Sequence, residues 1–231
     1  MELEKDCLDF GMFTNNPDAM HQFYGGELGL KFEGTVAMGP KFKLSRYLLN
    51  GSVLKLWHAA DPLPPRAGSG FKVLTIADPK TSAPRAVRDP DGNQLQFVPP
   101  GHNRVDQIEF QMGVSDLKQA ERFYADVMGA QPMGDGRYRL GQTILTLGAD
   151  PSARQVRTEP VINPLDAVSA MAGAGIRYLT LQVRDCAAEY QRLSGKPYNP
   201  GVAFTSGAGN LAGLFMIRDP DGNWMEVLQR K

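Results

Sequence analysis

Arg88-Asp89-Pro90-Asp91-Gly92-Asn93 and Arg218-Asp219-Pro220-Asp221-Gly222-Asn223 are two copies of one hexapeptide, and an alternating run of apolar and polar residues follows each copy. Asp-Pro followed by Asp-Gly is typical of a tight turn, because proline restricts φ and glycine accepts a positive φ. The runs at residues 94–98 and 224–228 then predict strands. We therefore interpret each copy as the closing β-hairpin of a folding unit that the chain contains twice.

A second repeat supports this interpretation and shows where the two halves differ. Phe123 and Tyr124 follow Phe23 and Tyr24 by 100 residues, whereas the two hexapeptides are 130 residues apart. The first half therefore lacks a segment that the second half contains. Only residues 79–88 lead from a predicted strand, residues 71–77, into the first hexapeptide, which is too few for a helix and two strands. Internal repeats of this kind predict a modular fold with an abbreviated second module.

Each complete module reads as a strand, a capped helix and three strands. Asn16, Asp116 and Asp185 are predicted helix caps, and Gln119 stands at the position that completes a capping box with Asp116. Residues 61–70, rich in proline and glycine, predict a linker, and residues 165–172 predict an additional helix. We expect an α+β protein of four modules in two domains, residues 1–100 and 104–231, and we expect the second domain to be complete in itself.

Composition excludes several classes of partner. The chain has 25 basic and 25 acidic residues and no charge run, so neither nucleic acid nor an anionic membrane is expected to bind. Two distant cysteines, Cys7 and Cys186, favour a reduced cytoplasmic protein. The acidic N-terminus does not resemble a signal peptide, and no apolar stretch approaches the ~20 residues of a membrane helix. The expected partner is a small molecule, and a homodimer is left open.

The order of strands and helices, the Phe-Tyr pairs and the Asp-Pro-Asp-Gly-Asn hairpins together resemble the vicinal oxygen chelate superfamily, which comprises glyoxalases, bleomycin-resistance proteins and extradiol dioxygenases. The resemblance covers nearly the whole chain. It implies four βαβββ modules, the second abbreviated, that pair into two glyoxalase-like half-barrel domains. It does not identify an activity, because this fold carries lyases, isomerases, dioxygenases and metal-free binding proteins.

In this superfamily a divalent metal is often held by His, Glu or Gln on the first and last strands of the modules. Counting seven residues back from each helix cap, or from Asp78 in the abbreviated module, and four past each turn glycine, gives the matching positions in this chain: Asp9, Lys55, Phe71, Gln96, Glu109, Leu145, Tyr178 and Glu226. None of them is a histidine. The resemblance therefore implies no tightly held iron, zinc or nickel, and at most a weakly held Mg or Mn at Glu109 and Glu226.

Glu109, Glu226 and Tyr178 are the candidate catalytic residues. If both carboxylates face one cavity, burial and like charge raise the pKa of one of them and provide a general acid or base. Either glutamate is alternatively a solvated or ion-paired strand residue, and Tyr178 either contacts a ligand or packs in the core. Phe71 is expected to pack in the core, and Asp9 is expected to form a structural ion pair with Lys55. The candidate substrate-binding residues are Tyr178, Gln107, Gln111, Asp9 and Gln96.

Two functions remain open. The first is an enzyme, a lyase or isomerase rather than a dioxygenase, that acts on a small organic molecule in the cavity of the second half. The second is a binding protein of the bleomycin-resistance kind, which sequesters its ligand without turnover. Retained metal and a chelator-sensitive activity would favour the enzyme, whereas tight binding without product would favour the binding protein.

Overall fold

The computed structural model describes residues 1–64, 70–153, 164–194, 202–205 and 210–231. The strands are β1 (Asp9–Thr14), β2 (Lys31–Ala37), β3 (Phe42–Leu49), β4 (Ser52–Ala59), β5 (Phe71–Ala77), β6 (Arg85–Arg88), β7 (Gln94–Val98), β8 (Ile108–Val114), β9 (Gln131–Gly134), β10 (Arg137–Leu140), β11 (Thr143–Ala149), β12 (Gly175–Gln182), β13 (Val202–Thr205), β14 (Leu211–Arg218) and β15 (Trp224–Arg230).

The helices are α1 (Pro17–His21), α2 (Leu117–Arg122), α3 (Pro164–Met171) and α4 (Cys186–Leu193). Both α1 and α2 continue as a wider π-helical turn, Gln22–Glu27 and Phe123–Val127, and single 3-10 turns occur at His102–Arg104 and Pro151–Ala153. Within the described ranges, no helix is long and apolar enough to cross a membrane.

Two of the three predicted helix caps form side-chain hydrogen bonds. Asp116 accepts a hydrogen bond from the Gln119 backbone N–H at 3.1 Å, and Gln119 Nε2 donates to Asp116 Oδ2 at 3.0 Å. Asp185 likewise accepts from the Ala188 backbone N–H at 2.8 Å. Asn16 precedes α1 but makes no capping hydrogen bond with its side chain. Local chemistry therefore predicted the starts of the helices correctly, even where the cap itself is not used.

The second module is abbreviated, as predicted. After β5, the Asp78 carbonyl accepts a hydrogen bond from the Thr81 backbone N–H at 2.9 Å, and the chain then enters the short strand β6. The complete fourth module has α4 at the corresponding point between β12 and β14. The first half therefore lacks one helix that the second half retains.

The strands form two sheets, and each sheet combines modules from both halves of the chain. Among the described residues, the order is β13-β14-β15-β12-β1-β4-β3-β2 in the eight-stranded sheet and β6-β7-β5-β8-β11-β10-β9 in the seven-stranded sheet. The antiparallel pairs that join the halves are β1 with β12, where Asp9 faces Thr180, and β5 with β8, where Thr75 faces Glu109. The sheets therefore do not follow the expected division at residues 100–104, because the first strand of each module pairs with the first strand of a module in the other half.

Alternation along the strands gives each sheet two different faces. One face of each sheet packs in a shared hydrophobic core, in which Phe10 and Phe110 meet with their ring centroids 5.3 Å apart. The opposite face of the eight-stranded sheet carries Glu226, and that of the seven-stranded sheet carries Glu109. We call these opposite faces the site faces.

Each hexapeptide turn is tied to the core by a buried tyrosine–aspartate hydrogen bond. Tyr24 Oη donates to Asp89 Oδ2 at 2.8 Å, and Tyr124 Oη donates to Asp219 Oδ2 at 2.9 Å. Both carboxylates are buried. Burial raises the pKa of Asp89, and it raises the pKa of Asp219 from 3.8 to about 6 although hydrogen bonds from Asn223 oppose the shift. Each bond links a helical segment of one sheet to a hairpin of the other.

We predict that Asp219→Asn changes the pH dependence of stability. Since the folded pKa of Asp219 is raised from 3.8 to about 6, the folded state binds more protons than the unfolded state between these values. The free energy of unfolding therefore falls as the pH rises through this window. In urea unfolding experiments, the free energy of unfolding of the wild type minus that of Asp219→Asn should fall by up to about 3 kcal/mol between about pH 4 and about pH 6. Asp91→Asn, in the other turn, is the control, and a difference that stays constant with pH would contradict this account.

We also predict that residues 103–231 do not fold alone as a monomer. The cut removes β1 from β12 and β5 from β8, and it leaves two strand edges without their partners. The fragment should unfold without cooperativity or self-associate, and adding residues 1–102 should restore a single thermal transition. A monomeric fragment with a sharp transition by light scattering and circular dichroism would show instead that the second half is an independent domain.

Candidate functional site

The predicted site residues form two separate groups, one on each site face. The eight-stranded sheet carries Asp9, Lys55, Tyr178 and Glu226. The seven-stranded sheet carries Gln96, Gln107, Gln111 and Glu109. Glu109 and Glu226 therefore do not share a cavity, because β15 joins β12 and β1 whereas β8 joins β5 in the other sheet.

On the eight-stranded sheet, Glu226 is neutralised by Lys55. The Lys55 ammonium forms an ion pair with Glu226 Oε2 and donates to Thr180 Oγ1 at 2.8 Å. Thr180 Oγ1 in turn donates to Glu226 Oε2 at 2.7 Å. Lys55 is only 6% exposed. A buried lysine of this kind needs the carboxylate as its partner, so the pair acts as a structural unit of the sheet.

Asp9 does not pair with Lys55, so that expectation is wrong. Asp9 forms an ion pair with Lys5, accepts a hydrogen bond from the Val53 backbone N–H at 2.7 Å and accepts another from Gln182 Nε2 at 3.0 Å. The reason lies in the register, since β1 places Gly11 rather than Asp9 opposite Lys55. Asp9 is 1% exposed, and these three partners hold its carboxylate within the sheet.

Tyr178 is packed rather than presented to a ligand. Its Oη accepts a hydrogen bond from Trp57 Nε1 at 2.8 Å, and its ring lies 5.5 Å from the Lys55 ammonium. Gly11 leaves the space that the ring fills, since a Cβ there would stand 1.8 Å from the Tyr178 ring. Burial, followed by the charge of Glu226, raises the pKa of Tyr178 well above its usual value. The phenol therefore stays neutral and serves packing.

An apolar cluster covers the rest of this site face. Met171 of α3 packs there against the sheet residues Phe13, Trp57, Tyr178, Met216 and Trp224. Phe13 and Trp57 are stacked with ring centroids 5.6 Å apart. The cavity beside Trp57 has a volume of only about 180 Å³. Among the described residues, this face thus offers little room for a ligand.

On the seven-stranded sheet, Glu109 is held by Arg137 and Thr146. Arg137 Nε donates to Glu109 Oε1 at 3.1 Å, and the Thr146 hydroxyl donates to the same oxygen. Arg137 Nη1 donates to the Asn103 carbonyl at 2.8 Å. Arg137 Nη2 and the neighbouring Thr75 Oγ1 are buried without a hydrogen-bond partner within the described residues. Such unpaired groups cost free energy and gain from a partner that reaches them.

A cavity of about 610 Å³ opens on the same site face between β5, β6, β7 and β8. Its wall includes Gln94, Gln96 and Gln111, with Val73 and Arg88 beside them. Gln96 faces Thr75, and Thr75 faces Glu109, so the wall is continuous with the Glu109 ion pair. The structure therefore brings the predicted Gln96 and Gln111 together at an open cavity, and Gln94, which the sequence did not single out, joins them.

Gln107 has a structural role instead. Its Nε2 donates to the Asn50 carbonyl and to Ser52 Oγ, both at 2.8 Å, and its Oε1 accepts from Thr143 Oγ1 at 2.8 Å. Gln107 is 3% exposed. Its amide joins the hairpin turns of the two sheets, so it does not bind the ligand of the cavity.

Comparisons with known proteins agree with this geometry. The sequence profile of the glyoxalase/bleomycin resistance protein/dioxygenase superfamily matches residues 104–227. The chain belongs to this superfamily. A putative dioxygenase from Bacillus subtilis subsp. subtilis str. 168 superposes with a TM-score of 0.68 and 14% identity, over 100% of this chain and 85% of that one. No curated protein sequence matches the chain.

Two further solved structures show the same fold. Glyoxalase I from Zea mays superposes with a TM-score of 0.63 and 14% identity, over 96% of this chain and 92% of that one. The cppA protein from Streptococcus pneumoniae TIGR4 gives 0.53 and 10% identity, over 99% and 100% of the two chains. At these identities the likeness concerns the fold, which is the paired half-barrel architecture of the superfamily, and leaves the activity open.

The carboxylates of this superfamily member do not fit a divalent metal as they stand. Glu226 is already bound to an ammonium group and Glu109 to a guanidinium group. Within the described ranges, no three His, Cys, Asp or Glu side chains come close enough to hold a metal ion. His21 and His58 do lie together, with ring centroids 5.0 Å apart, but His58 follows Trp57 in β4 and faces away from the site.

Of the positions reached by counting along the sequence, two face the core, and for Phe71 this location was expected. Phe71 lies in the core because a register shift between Phe71 and Val73 reverses the alternation of β5. Leu145 also lies in the core. The glycine is the second turn residue in Asn50-Gly51 but the first in Gly141-Gln142, so Thr146 rather than Leu145 corresponds to Lys55.

We predict that the purified protein holds no stoichiometric iron, zinc or nickel, because each candidate carboxylate already has a cationic partner. Elemental analysis after dialysis against a chelator measures this. Lys55→Ala removes the ammonium group from Glu226 and should increase Mn²⁺ uptake in equilibrium dialysis compared with wild type. A stoichiometric metal in the wild-type protein, or unchanged uptake by the variant, would contradict the role given to Lys55.

Proposed function

We propose that the protein binds a small, polar organic molecule in the cavity on the site face of the seven-stranded sheet and holds it without turnover. The observation that supports this most directly is the cavity of about 610 Å³ lined by Gln94, Gln96 and Gln111. Its volume falls within the range of small-molecule sites in proteins, roughly 300–1,000 Å³. The membership of the chain in a superfamily that includes bleomycin resistance proteins is consistent with a binding role.

The chemistry of the wall favours a ligand with both hydrogen-bond donors and acceptors. Each glutamine amide offers two N–H donors and one carbonyl acceptor. No hydrogen bond joins the side chains of Gln94, Gln96 or Gln111 to another residue in the part of the chain that the structure describes. Arg88 adds positive charge to this site face, and Arg137 balances the charge of Glu109. An oxygen-rich, neutral or anionic molecule suits this wall better than a cation.

The state of the candidate acid and base groups favours binding over catalysis. Glu109 is paired with Arg137, Glu226 with Lys55, and the Tyr178 hydroxyl accepts a hydrogen bond from Trp57. A general base must be free to accept a proton from the substrate. None of these three groups is free in this arrangement, and Glu226 and Tyr178 lie on the other sheet.

A lyase or isomerase is the second candidate, and one feature favours it. Arg137 Nη2 and Thr75 Oγ1 have no partner within the described residues and lie on either side of Glu109. A ligand oxygen that binds Arg137 would draw the guanidinium group from Glu109 and expose a carboxylate beside the cavity. Glu109 would then serve as general base. This reading assigns catalysis to the seven-stranded sheet alone, without a resident metal.

For either function we propose a reduced cytoplasmic setting, since Cys7 and Cys186 are both free thiols.

The proposal predicts that binding depends on the glutamine wall. A thermal-shift screen of small carboxylic acids, amides and sugars provides the probe, and calorimetry gives its dissociation constant. Gln96→Ala and Gln111→Ala should each weaken binding about tenfold, since each removes a hydrogen-bonding group worth ~1.4 kcal/mol. Asp9→Asn and Glu226→Gln, on the other sheet, are matched controls and should leave the dissociation constant unchanged.

Glu109→Gln separates the two candidate functions. If the protein only binds, the variant keeps its affinity for a neutral ligand and no product forms with either protein. If the protein is a lyase or isomerase, wild type converts the ligand and Glu109→Gln binds it without conversion. Loss of binding through the Asp9 or Glu226 variants alone would place the site on the eight-stranded sheet and refute the proposal.

A further inference from the structure

A second cavity lies away from both site faces, at the place where the second module lacks its helix. Its volume is about 560 Å³. The floor is formed by Ile76 and Phe97, one wall by Leu28 and Leu30, and the rim carries Glu27, Lys80 and Arg85. We call this cavity the helix seat. It is separate from the glutamine-lined cavity, since Ile76 and Phe97 lie in the hydrophobic core on the opposite face of the sheet.

The other half of the chain shows what fills the corresponding place. There α4 occupies the place, and three of its contacts with its surroundings can be compared with the first half. Arg192 Nη2 donates to the Val127 carbonyl at 2.9 Å, the Tyr190 ring lies 5.5 Å from the Phe215 ring, and Cys186 Sγ lies 3.6 Å from the Val227 carbonyl.

The internal repeat maps these contacts onto the helix seat. The buried tyrosine–aspartate bonds establish the offsets, 100 residues for the tyrosines and 130 for the aspartates. With these offsets, Val127 corresponds to Glu27, Phe215 to Arg85 and Val227 to Phe97. All three of these residues line the cavity. The seat therefore has the position, relative to its own sheet, that α4 occupies in the second half.

Among the described residues, the chain fills this place incompletely. The turn after β5 is held by Asp78, which accepts hydrogen bonds from the Lys80 backbone N–H and the Thr81 hydroxyl, both at 3.0 Å. Arg85 then places its guanidinium group 4.3 Å from the centre of the Phe97 ring. This cation covers one end of the apolar floor, and the remaining volume stays open.

We propose that the helix seat docks an amphipathic helix of about two turns from a partner protein. The eight residues of α4 give the length that the seat accommodates. The charges on the rim define the partner further. Lys80 lies where the helix would begin and suits an acidic first turn, whereas Glu27 lies where it would end and suits a basic last turn. Arg85 suits an aromatic side chain near the middle.

The sequence of α4 itself has this pattern. Asp185 and Glu189 lie towards its start, Tyr190 follows, and Arg192 lies in its last turn. Two charged residues of the helix seat, Lys80 after β5 and Glu27 after α1, are separated along the direction in which a docked helix would lie. A helix matches both ends and the apolar floor at once, which a compact ligand at either end does not.

A peptide copy of α4 tests the proposal with the full-length protein. The probe is a fluorescent peptide of residues 184–194, made helical by a covalent link between positions 187 and 191, which are exposed in α4. Fluorescence anisotropy should show saturable binding. Ala83→Trp, which places a large ring on an exposed lining residue, should weaken it about tenfold. Ala188→Trp, on an exposed surface of α4 itself, is the matched control and should leave binding unchanged.

A charge exchange tests the orientation of the helix. Glu27→Arg should weaken binding about threefold, and a peptide with Arg192→Glu should recover the loss on this variant. Absence of saturable binding would overturn the proposal. An equal loss of peptide affinity in the Ala83→Trp and Ala188→Trp proteins would overturn it as well. Two results together would refute the docking of a helix. The peptide affinity would not respond to the charge exchange, and an apolar dye would displace the peptide. The helix seat would then be a small-molecule pocket.

Discussion

The buried hydrogen bond between Tyr124 and Asp219, with its counterpart between Tyr24 and Asp89, is the constraint on which the fold depends. The Asp219 carboxylate also accepts from the backbone N–H groups of Asp221 and Asn223, at 3.0 and 2.7 Å. Burying a carboxylate is costly unless hydrogen bonds compensate it. Here the same oxygens shape the turn, start the last strand and fix the helical segment against it, so a displaced turn would leave the carboxylate buried and unsatisfied.

These bonds and the strand pairs hold the halves together in different directions. Each tyrosine–aspartate bond connects the two modules of one half across the core, whereas β1–β12 and β5–β8 connect modules of different halves within a sheet. Gln107 adds a third kind of link between the hairpin turns. The two halves are therefore interlocked, and neither sheet is complete without both of them. The repeat in the sequence is therefore built into two sheets that each combine strands of both halves.

The sequence predicted those features that depend on local chemistry. Turns, caps and the abbreviated module follow from residues that lie close together in the chain. The candidate residues Gln96 and Gln111 lie on the face of the sheet that also carries Glu109. The errors arose where the orientation of a side chain depends on the register of the strand and on the position of its turn. A different turn position placed Leu145 in the core, whereas Phe71 lies there as expected. The partners of Glu109 and Glu226 depend on which strand edges meet, and no local pattern encodes that choice.

The two site faces differ because their surroundings differ. On the eight-stranded sheet, α3 contributes Met171 to the aromatic cluster, and the ammonium group of Lys55 closes the centre of the face. On the seven-stranded sheet the edge strand β6 has only four residues, against eight in its counterpart β14, so less of the face is enclosed at that edge. Because the second module has no helix, the connection that precedes β6 is short. The same deletion thus accounts for an open polar cavity on one face of the sheet and an unfilled helix seat on the other.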